Sequence, residues 1–113
     1  MEELKFSVNW NNKLLCTYFT TLRLSDRFKI GQKYPVLLKK KQIGIGEIMA
    51  KKYLYLKQIN DYIAGLDTGY SAIKCKEILK TMYKKKLIDW NIQQLCLYLI
   101  RLERQNKMEL WDK

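Results

Sequence analysis

The chain has 113 residues, 48% hydrophobic and 12% aromatic, and its 22 Lys and Arg against 11 Asp and Glu give a net charge of +11. This length fits one domain, and the apolar content is enough for a packed core. The low content of Gly (5 residues) and Pro (1 residue) excludes collagen-like and low-complexity chains. The longest apolar run, residues 95–100, is too short to span a bilayer. Since no cationic segment precedes an apolar stretch at the start, we predict no secretory signal, a cytoplasmic location and no membrane partner.

Five strands are predicted, and they come mostly before the helices. Alternating apolar residues, β-branched residues and turn signals place them at residues 4–10, 19–24, 33–39, 43–51 and 94–100, and residues 53–56 could extend the fourth. Pro35 lacks an N–H, so it is expected at an edge or an irregular position of its strand. Gly44 and Gly46 are expected to permit a bulge or a sharp bend. The last strand is apolar on both faces and is predicted to be central.

The helical patterns are shorter. Residues 59–63 fit one helical face that stops at Ala64-Gly65, and residues 67–70 are expected to form a loop. Ser71 is a favourable N-cap for a helix running to about Tyr83. Residues 13–18 are expected as a short helix or loop. The whole pattern indicates an α+β fold: a small mixed β-barrel of about five strands with two or three helices packed on one side. We treat residues 1–113 as a single domain, with a core at 4–104 and a C-terminal helix or tail at 105–113.

Missing residue types exclude several kinds of site. The chain has no histidine, which excludes Ser-His-Asp and Cys-His catalysis and imidazole-based metal sites. Cys16, Cys75 and Cys96 form no C-x-x-C pair, so we predict no metal and no cofactor, and we expect Cys75 and Cys96 in the core. No Gly-rich phosphate-binding motif is complete.

The positive charge is concentrated in the middle of the sequence. Residues 13–86 hold 17 Lys and Arg and 5 Asp and Glu, a balance of +12, whereas the two ends together hold 5 and 6, a balance of −1. This distribution favours a polyanionic partner, nucleic acid first. Lysine is also a common solubilising residue, and a small chain rich in Lys, Tyr and Ile would suit a phage or mobile-element protein, so charge alone does not identify a partner.

Several segments, in this order, resemble the ASCH domain, a branch of the PUA-like barrel superfamily. They cover most of residues 4–104: T-T-L-R at 20–23, I-G at 30–31 with Y-P-V at 34–36, I-G-E-I at 45–48, L-D-T-G-Y-S at 66–71, Tyr83, and the closing strand at 94–100. The resemblance implies a fold that binds RNA or modified nucleosides in a cleft between barrel and helices.

One subgroup of that family hydrolyses the acetyl amide of N4-acetylcytidine with a Lys, a Thr and an acidic residue. The resemblance places Thr21 and Asp67 at two of these positions, but the Lys position is Tyr18, a phenol that carries no positive charge near neutral pH. Lys13 could supply the amine only if the local chain differs from the family. The residues therefore favour a binding protein over an enzyme.

We predict a small basic module that binds RNA, another single-stranded nucleic acid, or a nucleoside in a cleft beside the T-T-x-R strand. The predicted ligand-binding residues are Arg23, Thr21, Thr20, Asp67 and Tyr70. The predicted phosphate contacts are Lys39, Lys40, Lys41, Lys51, Lys52 and Lys74.

Other roles for these residues stay open. Arg23 could instead pair with Asp67 or Glu47, Asp67 could cap backbone N–H groups, and most aromatic residues could belong to the core. Two other functions also stay open. One is a small amidohydrolase or nuclease with Thr21 and Asp67 as catalytic residues, and the other is a module that binds an acidic protein.

Overall fold

The structure is a computed structural model that describes residues 2–104, so the expected C-terminal helix or tail at 105–113 lies outside the described residues. The described chain contains five strands: β1 (Leu4–Phe6), β2 (Tyr18–Arg23), β3 (Lys33–Leu38), β4 (Lys41–Tyr55) and β5 (Gln94–Arg104). It also contains two α-helices, α1 (Asp61–Thr68) and α2 (Ala72–Met82), and two 3-10 segments, Trp10–Leu15 and Leu56–Gln58.

The strands form one mixed sheet in the order β1-β3-β4-β5-β2, in which β1 and β3 are parallel and the other neighbours antiparallel. The sheet curls into a half-barrel, which confirms the α+β class, the mixed sheet and the number of strands. The sheet order leaves β1 and β2 as its two edges. Because β1 has only three residues, one side of the barrel is left as a seam between these edges.

Two apolar clusters hold this sheet together. The first lies inside the curl of the sheet, and its buried members include Leu4, Phe6, Phe19, Phe28, Val36, Ile48, Tyr98 and Ile100. The second joins the sheet to the helices, and its buried members are Leu22, Leu54, Leu56, Ile59, Ala64, Cys75, Leu79 and Leu95. Cys75 and Cys96 are buried, as expected. Within residues 2–104, none of the helices has the length and apolar content that crossing a bilayer requires.

The β3–β4 hairpin is tighter than expected. Its turn consists of Lys39 and Lys40 alone, with φ angles of 51° and 70°, so the predicted turn at 39–42 is two residues long. The sheet has irregular pairing at Ile43, next to Gly44, and at Met49, three residues after Gly46. Pro35 lies just before the part of β3 that pairs with β1, which agrees with its expected edge or irregular position.

Two expected boundaries were wrong. The first strand ends at Phe6 rather than near residue 10, because its partner β3 ends at Leu38, opposite Phe6. Asn11 and Asn12 then adopt left-handed conformations (φ of 56° and 52°). The first helix continues through Gly65 to Thr68, so residues 67 and 68 form its last turn instead of a loop. It stops at Gly69, whose φ of 81° favours glycine.

The central strand β5 is also less buried than expected. Leu95 is fully buried beneath the helices, but Leu99, on the same face, is 38% exposed. The helices therefore cover only the first part of that face.

Candidate functional site

A cavity lies at the seam between β1 and β2. Arg23, the last residue of β2, spans this seam, since its Nη2 donates a hydrogen bond of 2.9 Å to the Lys5 carbonyl of β1. The Arg23 guanidinium also lies 4.8 Å from the centre of the Phe6 ring and 5.9 Å from that of Phe28. A hydrogen bond and two cation–π contacts thus hold the guanidinium in place between the two edges.

The cavity has a volume of about 90 Å³ and is bordered by the end of α1 and the second half of α2. Its charged and hydroxyl-bearing lining includes Lys5, Ser7, Lys13, Thr21, Arg23, Asp67, Thr68 and Tyr83. Its apolar lining consists of Phe6, Val8, Trp10, Leu22, Ile78, Leu79 and Met82. The cavity therefore suits a small group that has both polar and apolar parts.

A buried ion pair forms one wall. Lys13 Nζ lies 3.0 Å from Asp67 Oδ1, and the two side chains are only 5% and 8% exposed. Thr20 Oγ1 donates to the same carboxylate oxygen at 3.3 Å. Burial lowers the pKa of the Lys13 ammonium below its ordinary value of 10.5, and the attraction of Asp67 offsets this only in part. Arg23 also lowers that pKa by repulsion, so two cationic groups share the site with one carboxylate.

Two alternative structural roles, a backbone cap by Asp67 and an ion pair of Arg23, are not seen among the described residues. Asp67 Oδ1 accepts instead from the side chains of Lys13 and Thr20. Arg23 pairs with neither Asp67 nor Glu47, since the Glu47 carboxylate lies 2.8 Å from Arg101 Nη2.

Arg23 has a donor without an acceptor. Its Nε is buried, and no described residue accepts a hydrogen bond from it. Burial also lowers the pKa of the Arg23 guanidinium, yet an arginine of this kind stays charged at neutral pH. A buried donor without an acceptor costs about 1–3 kcal/mol, so the Nε–H adds a free-energy cost to the seam.

The structure brings three of the five predicted ligand-binding residues, Thr21, Arg23 and Asp67, to the same cavity. Thr20 lies on the other face of β2 and reaches Asp67 from there. Tyr70 does not line the cavity. It is 47% exposed and packs edge-on against Trp10, with 6.2 Å between ring centroids.

The predicted phosphate-binding lysines are distributed over several surfaces. Lys39 and Lys40 border an open groove of about 550 Å³ that shares Lys5, Phe6 and Ser7 with the seam cavity. Lys41 is exposed beside that turn.

The other three are elsewhere. The Lys51 ammonium donates to the carbonyls of Asp26 and Phe28, so it is occupied by the protein itself. Lys52 borders a shallow depression on the exposed sheet face, and Lys74 lies 3.8 Å from Glu77.

Sequence reasoning named Lys13 only as a conditional participant and did not name Lys5. Lys13 reaches Asp67, 54 positions later, because the left-handed turn at Asn11 and Asn12 redirects the chain. The spacing of apolar residues in the sequence does not indicate such a turn, although two adjacent asparagines are a signal for it. Among residues 2–104, no three Cys, Asp or Glu side chains come together as a metal site would require.

The fold is similar to that of a solved protein. The crystal structure of protein EF3133 from Enterococcus faecalis V583, described as DUF984, superposes with a TM-score of 0.70 and 12% sequence identity, covering 98% of this chain and 82% of that one. At this identity the likeness shows a shared fold. The sequence matches no family model, and a search of curated proteins finds no significant match.

Proposed function

We propose that this chain is a nucleic-acid-binding module of the ASCH/PUA-like type that takes a nucleoside unit of RNA at the seam between β1 and β2. The observation that carries the proposal is the grouping of Arg23, Thr21 and the Lys13–Asp67 pair around one cavity. A planar guanidinium is the group best suited to bind a phosphate or a base edge with defined geometry.

The polar groups of the cavity can both donate and accept. The Arg23 guanidinium and the Thr21 hydroxyl line the cavity and are groups that donate. The second carboxylate oxygen of Asp67, Oδ2, accepts from no described residue, because Oδ1 takes the bonds of Lys13 and Thr20. A base edge or a ribose hydroxyl presents the complementary pattern. The net charge of +11 supplies the long-range attraction for a polyanion.

The test is fluorescence anisotropy with a labelled single-stranded RNA at several salt concentrations. We expect affinity to fall as salt rises, since phosphate contacts release counterions. Arg23→Lys keeps the charge but loses the planar fork, so it is expected to weaken binding about tenfold, within the range of a bidentate contact. Thr21→Val should also weaken binding with little change in side-chain volume.

Arg101→Lys is the matched control, because Arg101 lies on β5 outside the cavity. Thermal unfolding of each variant separates lost binding from lost stability. The proposal fails if RNA does not bind or if the affinity is independent of salt. Equal affinity for polyglutamate would favour the alternative of an acidic protein partner.

A second candidate function, hydrolysis of an acylated nucleoside, is favoured by the position of Lys13. The exposed Tyr18 does not line the cavity, but the Lys13 amine lies beside Asp67 and Thr21, and its lowered pKa makes the amine easier to deprotonate. Incubation with N4-acetylcytidine tests this function. We expect release of acetate by the unmodified protein and none by Lys13→Met, and unchanged substrate at high protein concentration would exclude it.

A further inference from the structure

We propose that the groove beside the Lys39–Lys40 turn is a second subsite that holds the sugar–phosphate backbone next to the nucleoside at the seam. The ligand is then a single-stranded RNA chain and not a free nucleoside or nucleotide. This inference rests on the proposed function and adds to it the class of ligand.

The first argument is size. The seam cavity has a volume of about 90 Å³, which is small beside a nucleotide with its base, sugar and phosphate. Only part of one nucleotide can enter, so the rest must lie outside. The groove of about 550 Å³ is the adjoining space, because Lys5, Phe6 and Ser7 line both depressions.

The second argument is charge. Lys5, Lys39 and Lys40 border the groove, and Glu3 is the single acidic residue there. Glu3 lies 3.8 Å from Lys5, at an exposed position where such pairs are weak. The ion pairs of residues 2–104 include neither Lys39 nor Lys40, so both ammonium groups are available to phosphates.

The third argument is position. The Lys39 backbone N–H donates a 2.9 Å hydrogen bond to the Phe6 carbonyl, which ties the turn to the wall shared by the two depressions. The two lysines are therefore held at a fixed place relative to Arg23, which lies against the Phe6 ring. A chain leaving the cavity along Phe6 meets these ammonium groups.

The backbone geometry of the turn allows both lysines to be replaced without strain. Both residues have positive φ, the geometry of a two-residue hairpin turn in which Asn-Gly is the preferred pair. Lys39→Asn combined with Lys40→Gly therefore removes both charges while it suits the backbone. The matched control combines Lys29→Gln with Lys33→Gln, which removes two exposed charges at the far end of β3.

Binding is measured by calorimetry with two probes: a mixture of the four ribonucleoside monophosphates, and a mixed-sequence RNA of about eight nucleotides. We expect the RNA to bind more tightly than the monophosphates. The turn variant should weaken RNA binding about tenfold at low salt and reduce the salt slope by about 1–2, one for each phosphate that a lysine of the turn no longer neutralises. It should weaken monophosphate binding much less, because a monophosphate brings one phosphate to the groove and the RNA brings several, and the control should change both less.

The outcomes separate the two proposals. If the unmodified protein binds neither probe, the proposed function fails and the subsite fails with it. If monophosphates bind as tightly as the RNA, or if the turn variant behaves like the control, the subsite alone is excluded.

Discussion

The Lys13–Asp67 pair has an energetic role unlike that of the other ion pairs in the described chain. Both of its side chains are almost fully buried, whereas those of Lys74 and Glu77 are 56% and 63% exposed. Exposed pairs contribute little to stability, but removing one partner of a buried pair leaves an uncompensated charge and destabilises a protein by about 3–5 kcal/mol.

Asp67→Asn tests this difference. We expect it to lower the free energy of unfolding by about 3–5 kcal/mol near pH 7, because the Lys13 ammonium then lacks its carboxylate. The deficit should shrink as pH rises. Burial lowers the pKa of Lys13 in the folded protein, and the variant also lacks the Asp67 charge that raises it. The pKa of Lys13 is about 10.4 in the unfolded chain. As pH rises from the folded pKa to the unfolded pKa, the variant therefore gains more stability than the unmodified protein.

Urea denaturation of the variant and of the unmodified protein, near pH 7 and near pH 9.5, measures this change. Glu77→Gln is the control, and it should have little effect at either pH. A deficit that is independent of pH, or no larger than that of Glu77→Gln, would contradict the proposed burial of a charged Lys13.

At this scale the sequence allowed part of the site to be predicted. Thr21, Arg23 and Asp67 were grouped through the T-T-x-R and D-T-G-Y-S segments, and they do line one cavity. The partner of Asp67 could not be predicted, because it depends on where a loop 54 residues earlier places its lysine.

At the scale of elements, β4 shows how a glycine allows strands to approach. A Cβ added at Gly46 would lie 2.8 Å from Ile100 Cγ2 and 2.9 Å from Val36 Cγ2, both inside the first apolar cluster. Gly65, in the middle of α1, has no atom within 4 Å of such a Cβ. The two glycines therefore differ in what they contribute.

We expect Gly46→Ala to destabilise the protein by about 1–3 kcal/mol through overpacking. Gly65→Ala should instead stabilise it by about 0.5–1 kcal/mol, since alanine is the better helix former. Thermal and urea unfolding of the two variants check the difference. Equal effects of the same sign would show that β4 has room for a methyl group at position 46.

Elements with a strong local signal were predicted well. Helix α2 begins after Ser71, whose side chain accepts from the Lys74 N–H, and it ends at Met82. Helix α1 was predicted too short because a glycine in mid-helix resembles a stop signal. Burial of Ala64 and Asp67 stabilises the helix beyond Gly65 and outweighs that propensity.

At the scale of the whole molecule, the edges of the half-barrel meet at Arg23. The sequence predicted the number of strands but not their order, since a parallel β1–β3 pair and an inserted β5 depend on contacts between distant segments. Nor did the sequence indicate that a side chain, rather than a backbone ladder, links β2 to β1.

Arg23→Met should therefore loosen the seam in the ligand-free protein. The lost hydrogen bond from a charged donor costs about 1.5–3 kcal/mol, whereas removal of the buried, unpartnered Nε–H returns about 1–3 kcal/mol, so we expect only a small change in the free energy of unfolding. Hydrogen exchange should quicken at β1 and at the Lys39 N–H, while the β4–β5 pairing stays protected. Arg101→Met, which removes a more exposed pair, should not change the exchange of β1, and a uniform increase in both variants would contradict this role of Arg23.

The unequal exposure of the three cysteines makes the protein suitable for selective labelling. Cys16 is exposed, whereas Cys75 and Cys96 are buried and burial raises the pKa of both thiols, so a maleimide dye should attach at Cys16 alone. The Cys16 N–H is bonded to the Lys13 carbonyl, so the dye would be anchored close to the cavity. Its emission could then follow the arrival of an unlabelled oligonucleotide in real time.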